Sequence, residues 1–338
     1  MSARRILQAW LVVAVYLLLA CDVEAQTVYR GSLGGKHIEM RLNTSGNKVT
    51  GTYFYDQFKQ DIKLEGTVDA KGQLAFVEGS AKRPTGKFVC KSEKDYEVDL
   101  ECEWSRPDGS KKLTAFLYEQ GIRLKSEVKL VPKLLIDRKK KAEASYPQFV
   151  ATTLTPGMLS FNRLVEERVQ KAMKEFDTEG LSTFTFEINY NVLFADEEKA
   201  SIEFNEYSDE GAAHPNTQLW TVNYNLKGDK ELTLEDIFKP GDKQNAAIAE
   251  FVAKDINRRA EQMEIADARR DNRQPEKRAE ALMDADQLPE MESWAFTPKG
   301  VAVYFGFPHV MAVFTRTIVP YEVLASHIRP DAVVPPVK

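Results

Sequence analysis

Cysteine and histidine are scarce in this 338-residue chain, three of one and four of the other, and the scarcity limits its chemistry. His37, His214, His309 and His327 each lack another histidine or a cysteine within five residues, whereas zinc needs three or four converging ligands, commonly two of them close in sequence. No metal site and no cofactor is therefore expected. The CxxC, HExxH, GxSxG, Walker and Gly-rich dinucleotide signatures are missing as well. The one formal match to a catalytic spacing is Ser126-x-x-Lys129. That pattern is frequent by chance, and its alternating context would not put both side chains on one helix face. Carboxylates abound, but no pair can be placed by spacing at a distance suited to acid–base work. Excess positive charge is lacking too: the formal net charge is −5, which gives no reason to expect nucleic-acid binding.

Long apolar runs are absent apart from one, Ile6 to Ala20, whose fifteen residues fall short of the roughly 20 that cross a bilayer as a helix. Arg4 and Arg5 precede it, and small residues follow at Ala20 and Ala25; this is the pattern of a secretory signal peptide over residues 1–25. Two cleavage readings stay open. Leu18 to Cys21 resembles a bacterial lipobox ending at residue 20, with Cys21 lipidated, although Leu19 is bulkier than usual there. Val23 and Ala25 instead fit ordinary signal peptidase, with Gln26 first in the mature chain. A periplasmic or secreted protein is expected, with membrane attachment only through a lipid at Cys21. Both readings leave Cys90 and Cys102 as an even pair in an oxidising compartment, so a disulfide between them is predicted; two buried free thiols are the alternative. Phe88 and Cys90, then Val98, Leu100, Cys102 and Trp104, share one parity, as two strands of a hairpin burying one face would.

What the chain does have is 43% hydrophobic residues, enough to bury a core in each of two domains. From residue 26 to 125 short alternating segments are broken by Gly, Asp and Asn, and part of the pattern repeats. Residues 50–55 (TGTYFY) match 85–90 (TGKFVC), and 61–68 (DIKLEGTV) match 97–104 (EVDLECEW), which indicates duplicated hairpins. The expected fold is an all-β meander or small open barrel. Residues 126–145, with Pro132 and the basic run Arg138 to Lys141, read as a linker.

The second domain is expected over residues 146–329, with a tail at 330–338. Phe161, Leu164, Val165, Val169, Ala172, Met173 and Phe176 have the spacing of an amphipathic helix closing near Glu179-Gly180. Phe184, Phe186, Ile188, Tyr190, Val192 and Phe194 then alternate on one strand face, with polar Thr185, Glu187, Asn189 and Asn191 opposite. Strands around Ile202–Phe204 and Trp220–Leu226, a short helix after Thr233, a long polar helical stretch from Lys243 to about Met283 interrupted at Pro275, a hairpin turning at Thr297–Gly300 and a last strand before Pro320 complete an α+β domain whose antiparallel sheet is covered by helices. Between two of these strands lies the segment Glu210 to Asn216. Gly211 can supply positive φ, Pro215 fixes its own backbone and biases His214 toward extended geometry, and Asn216 can bond nearby main chain. This shaped connection is a structural turn, a ligand-contacting loop or, least of all, a catalytic one.

The same residues carry a family likeness. Tyr146 to Phe149 ahead of a helix, the Glu210–Asn216 loop, Asn223 to Phe238, and Phe296 to Phe305 followed by Ile318 to Leu324 stand in the order seen in the RsiV-like domain family, and residues 146 to about 329 resemble it. Relatives more often have two glycines before the Ala-His-Pro-Asn segment, where this chain has Ala212. The stretch 307–317 lacks the tyrosines and glycine common in relatives. The resemblance implies an extracytoplasmic α+β domain without catalytic apparatus. One relative is the outer part of an anti-sigma factor that binds lysozyme; others are fused to a peptidoglycan deacetylase or stand alone. The expectation is a non-catalytic binding protein of the bacterial envelope whose partner is a lysozyme-type muramidase or peptidoglycan, with His214, Asn216, Trp220 and Tyr190 as candidate contacts. The alternatives are a hydrolase or deacetylase acting on wall glycans around His214, and an immunity-type protein neutralising an envelope toxin.

Overall fold

The computed structural model describes residues 26–80, 82–92, 98–125, 127–176, 184–211, 214–241, 243–278, 280–332 and 334–335. Cys21 and the rest of the N-terminal segment, Ser126, Glu179-Gly180 and Ala212 lie outside these residues. The chain divides into two compact units, Met1–Glu119 and Gln120–Lys338.

The first unit is an eight-stranded antiparallel barrel in sequential order: β1 (Thr27–Leu33), β2 (Lys36–Ser45), β3 (Lys48–Tyr55), β4 (Ile62–Val68), β5 (Leu74–Ser80), β6 (Arg83–Ser92), β7 (Leu100–Ser105) and β8 (Lys112–Glu119). The expected meander closes on itself through β1–β8 pairing, Tyr29 opposite Glu119 through Leu33 opposite Ala115. Closure satisfies both edges, which an open meander would leave as rows of unpaired amides. Period-two alternation turns Ile38, Met40, Leu42, Leu64, Phe76, Phe88 and Leu117 into one buried interior. The sequence repeat corresponds to β3–β4 and β6–β7. Cys90 and Cys102 stand directly opposite each other on β6 and β7, buried, and are joined by a disulfide.

The second unit begins earlier than residue 146. Gly121 donates to the carbonyl of Val192 at 2.8 Å, Arg123 donates to that of Ala195 at 2.7 Å, and the Gln120 side chain accepts from the Val192 amide at 2.6 Å. Residues 126–145 are not a linker either. They supply β9 (Lys129–Asp137) and the first part of β10 (Ala142–Val150), an antiparallel hairpin in register from Lys129–Val150 to Asp137–Ala142. Its two prolines are tolerated because Pro132 and Pro147 face each other on the outermost pair of strands, where a missing N–H costs least. The basic run Arg138–Lys141 is the hairpin turn. The Lys140 ammonium donates to the carbonyls of Lys174 at 3.0 Å and Phe176 at 2.5 Å, capping the C-terminal end of the following helix.

That helix, α1 (Pro156–Glu175), starts where Thr155 accepts from the Met158 amide at 3.2 Å and Pro156 occupies the first turn. It buries Met158, Phe161, Val165, Val169 and Met173, five apolar side chains whose burial contributes on the order of 10 kcal/mol as an upper bound. Its Asn162 replaces a missing neighbouring strand for β10, accepting from the Phe149 amide at 2.8 Å and donating to its carbonyl at 2.9 Å. The large sheet runs β14-β13-β12-β11-β10-β9, with β11 (Thr185–Ala195), β12 (Lys199–Asp209), β13 (Asn216–Asn225) and β14 (Lys230–Glu231). It is antiparallel except for a short parallel pairing of β10 with β11, bridged by α1.

The polar face of β11 to β13 is covered by a second sheet, β15 (Met291–Phe296), β16 (Gly300–Phe305) and β17 (Arg316–Pro320). Ala295, Ala302 and Tyr304 of this sheet pack on Leu193 and Leu219. Its other face, with Val301, Val303 and Phe305, packs through Ile248, Val252 and Ile256 on the helix α3 (Lys243–Arg270), which stops at Arg270 with Asn272 at φ of +53° instead of continuing to about Met283. Between them in sequence, α2 (Leu234–Ile237) carries the expected start at Thr233, and α4 (Tyr321–Leu324) follows β17. The unit is thus layered helix, sheet, sheet, helix. Part of the expected tail is tied down: Val334 packs against the second core, and its carbonyl accepts from Lys199 at 3.4 Å.

Candidate functional site

The connection between β12 and β13 is shaped as its residue types require. Gly211 has φ of +75°, and its amide donates to the Asp209 carboxylate at 2.9 Å, a side-chain-closed turn. Asn216 opens β13 opposite Ser208 and is exposed. His214 is exposed and stacks on His309, ring centroids 5.3 Å apart and planes at 22°. His309 begins a 3-10 turn, His309–Phe314, that joins β16 to β17. The pair therefore links the ends of the two sheets, one imidazole from each. The same turn puts Val310 in solvent at 87% exposure, with Val313 also exposed, while Phe314 anchors it in the core.

Tyr190 and Trp220 are placed differently. Both belong to the face of the large sheet that packs on α1. Tyr190 is 2% exposed, so it is a core residue with no surface to offer a ligand. Trp220 is half-buried and stacks on Phe204 at 3.9 Å with planes at 8°. Beside it, burial raises the Glu206 carboxyl above the usual range; a hydrogen bond from Trp220 opposes the shift and the charge of Glu175 adds to it. Of the four candidate contacts, the structure brings His214 and Asn216 to one exposed loop and leaves Tyr190 apart from it.

Sequence reasoning missed the polar cluster between the sheets. Buried Glu203 accepts from Tyr304 at 2.6 Å, from Asn191 at 3.0 Å and from Arg316 at 3.2 Å. Burial, then the Glu203 charge, pushes the Tyr304 hydroxyl well above its ordinary pKa. Nearby, Ser201 bonds Asn223 and accepts from the Phe296 amide at 2.8 Å, and Asn223 donates to the Trp294 carbonyl at 2.7 Å. Every one of these groups is satisfied within the protein, so the cluster fixes how the two sheets dock. The available signal was a run of polar residues, Ser201, Glu203 and Asn205, on a strand long enough to be central. Among the described residues no group of three or more His, Cys, Asp or Glu side chains converges as metal ligands, and no helix is long and apolar enough to cross a membrane.

Residues 235–312 match a known family. It is described as Protein of unknown function (DUF3298). The matched DUF3298 segment runs from α2 into the His309 turn. A crystal structure of a DUF3298 family member from Bacteroides fragilis NCTC 9343 aligns at a TM-score of 0.38 and 15% identity, covering 61% of this chain and 94% of that one. Another from Pseudomonas aeruginosa PAO1 aligns at a TM-score of 0.39 and 15% identity, covering 60% and 94%. No curated protein matches the chain significantly.

Proposed function

We propose that the unit carrying the DUF3298 segment is a non-catalytic binding module of the bacterial envelope, periplasmic, secreted or held by a lipid on Cys21, and that its partner is a protein of the lysozyme-type muramidase class. The observation that carries this reading is the paired tip, where the His214 loop and the His309 turn meet and Val310 and Val313 stand in solvent. An exposed apolar side chain on a turn anchored by Phe314 is pre-organised, so docking on it costs little ordering entropy. Two stacked imidazoles beside it give a flat, amphipathic surface of the kind that anchors interfaces. The resemblance of residues 146–329 to RsiV-like domains supplies the partner class, and the Cys90–Cys102 disulfide supports an oxidising compartment.

The test is calorimetric titration of residues 26–338 with a lysozyme at two salt concentrations. Submicromolar, saturable binding is expected to survive the higher salt, because the contact rests on apolar burial, and Val310→Asp is expected to weaken it at least about ten-fold. Heat that vanishes with salt, or binding indifferent to Val310→Asp and His309→Ala, overturns the proposal. Peptidoglycan as the ligand would appear instead as co-sedimentation with purified sacculi.

A further inference from the structure

The barrel has one end whose chemistry packing alone does not account for. The connections β1–β2, β3–β4, β5–β6 and β7–β8 all lie there, while β8 leaves from the opposite end. Just inside it Glu78 points inward from β5, in phase with Leu74 and Phe76, and is 9% exposed. Its Oε2 accepts from the Tyr53 hydroxyl at 2.8 Å and the Trp104 indole at 2.9 Å, and its Oε1 from the Thr85 hydroxyl at 2.6 Å. All three donors are neutral. Among the described residues the carboxylate has no cationic partner, which is unusual for a buried acid, and Oε1 keeps a free lone pair.

Aromatic rings lead from this carboxylate to solvent. Phe88 contacts Tyr53 at 5.5 Å, Tyr53 contacts Tyr55 at 5.7 Å, and Tyr55 contacts Phe58 at 6.3 Å, each edge to face. The series runs from the sealed core to Phe58, which is 69% exposed on the β3–β4 connection. Gly86 is what lets the indole reach Glu78, since a Cβ there would lie 2.2 Å from the Trp104 nitrogen. A carboxylate held only by neutral donors and set among tyrosine, tryptophan and phenylalanine rings suits an ammonium group, which charge and cation–π attraction can hold together, and barrel mouths are a recurrent place for small-molecule sites. Exposed Lys59, Arg83 and Arg106 share this end of the barrel with exposed Asp61 and Asp108, so the rim is of mixed charge.

We propose that this mouth binds a small alkylammonium group, held by Glu78 against Tyr55, Trp104 and Phe58. It is a separate site from the paired histidine tip, on the other unit of the chain.

The probes are choline and its uncharged isostere 3,3-dimethylbutan-1-ol, added to the protein from residue 26 onward while the Trp104 indole N–H resonance is followed by NMR. Choline is expected to shift that resonance saturably, and the isostere is not. Glu78→Gln should weaken choline about ten-fold or more, and Phe58→Ala, at a ring that is mostly in solvent, about three-fold. No saturable shift with choline or methylammonium, an equal response to the isostere, or affinity unchanged in Phe58→Ala overturns the proposal. Should Glu78→Gln not fold, the isostere comparison and Phe58→Ala still decide.

Discussion

Replacing Cys90 and Cys102 together by alanine tests how the barrel is held. The two residues are 12 apart in sequence, and closing a loop of that size removes denatured-chain entropy equivalent to about 3 kcal/mol at room temperature. Both sulfurs are buried in the barrel interior, so truncation also loses apolar burial of about 1–2 kcal/mol. The oxidised protein should therefore exceed the double variant by about 4 kcal/mol, and the reduced but unmutated protein by about 3 kcal/mol. The assay is urea unfolding read through amide exchange of β6 and β7, because a two-unit chain need not unfold in one step. Amides of β11 and β12 in the other unit serve as the internal control and should not respond. Equal urea midpoints for oxidised and double-variant protein, at equal slope, would refute the loop-entropy reasoning. A loss seen in the alanine variant but not on reduction would assign the effect to packing alone.

Three further outcomes follow from particular contacts. Gly31→Ala places a Cβ 1.9 Å from the Phe116 carbonyl oxygen across the β1–β8 seam; it should cost about 3 kcal/mol or more, seen as a lower thermal midpoint and faster exchange in β1 and β8. Arg316→Leu removes the guanidinium that lies 3.2 Å from buried Glu203 and should cost about 3 kcal/mol in urea denaturation, part of it recovered by Glu203→Gln in the same chain. Glu206 has its folded-state carboxyl pKa raised above the ordinary 4.5 by burial, so the folded state holds the extra proton between those two values. Stability then falls as pH rises through that window. Glu206→Gln should abolish this slope and raise the thermal midpoint at neutral pH, measured as melting curves across acid to neutral pH.

Local periodicity was legible wherever one face of an element meets one environment. The alternation from Phe184 to Phe194 became β11, the repeat became β3–β4 and β6–β7, and the shared parity of Cys90 and Cys102 became a cross-strand bridge. The β9–β10 hairpin was hidden because its signals are those of a linker: two prolines and a basic turn. Only the pairing of Pro132 with Pro147, and the use of Lys140 to cap α1, explain why such residues belong in a sheet. Barrel closure was hidden for another reason. Nothing local distinguishes a strand that ends a meander from one that returns to its start, and the decisive feature, Gly31 against the Phe116 carbonyl, depends on a partner at the far end of the unit.

The candidate site shows the same division. Gly211, Pro215 and Asn216 announce a shaped turn through their own backbone preferences, so the turn could be found. That His214 meets His309 could not be found, because two exposed loops from different sheets share no spacing. The polar face of β12 poses the inverse problem. Ser201, Glu203 and Asn223 look solvent-exposed by residue type, yet they are enclosed by a second sheet whose main chain and Tyr304 supply their partners. A polar residue on a strand is ambiguous between water and a satisfied interface, and only the inventory of its hydrogen bonds separates the two. Glu78 repeats the ambiguity inside the barrel. There the inventory among the described residues ends with three neutral donors and no cation, and the proposed ammonium site rests on that imbalance, whereas the balanced network around Glu203 marks a joint.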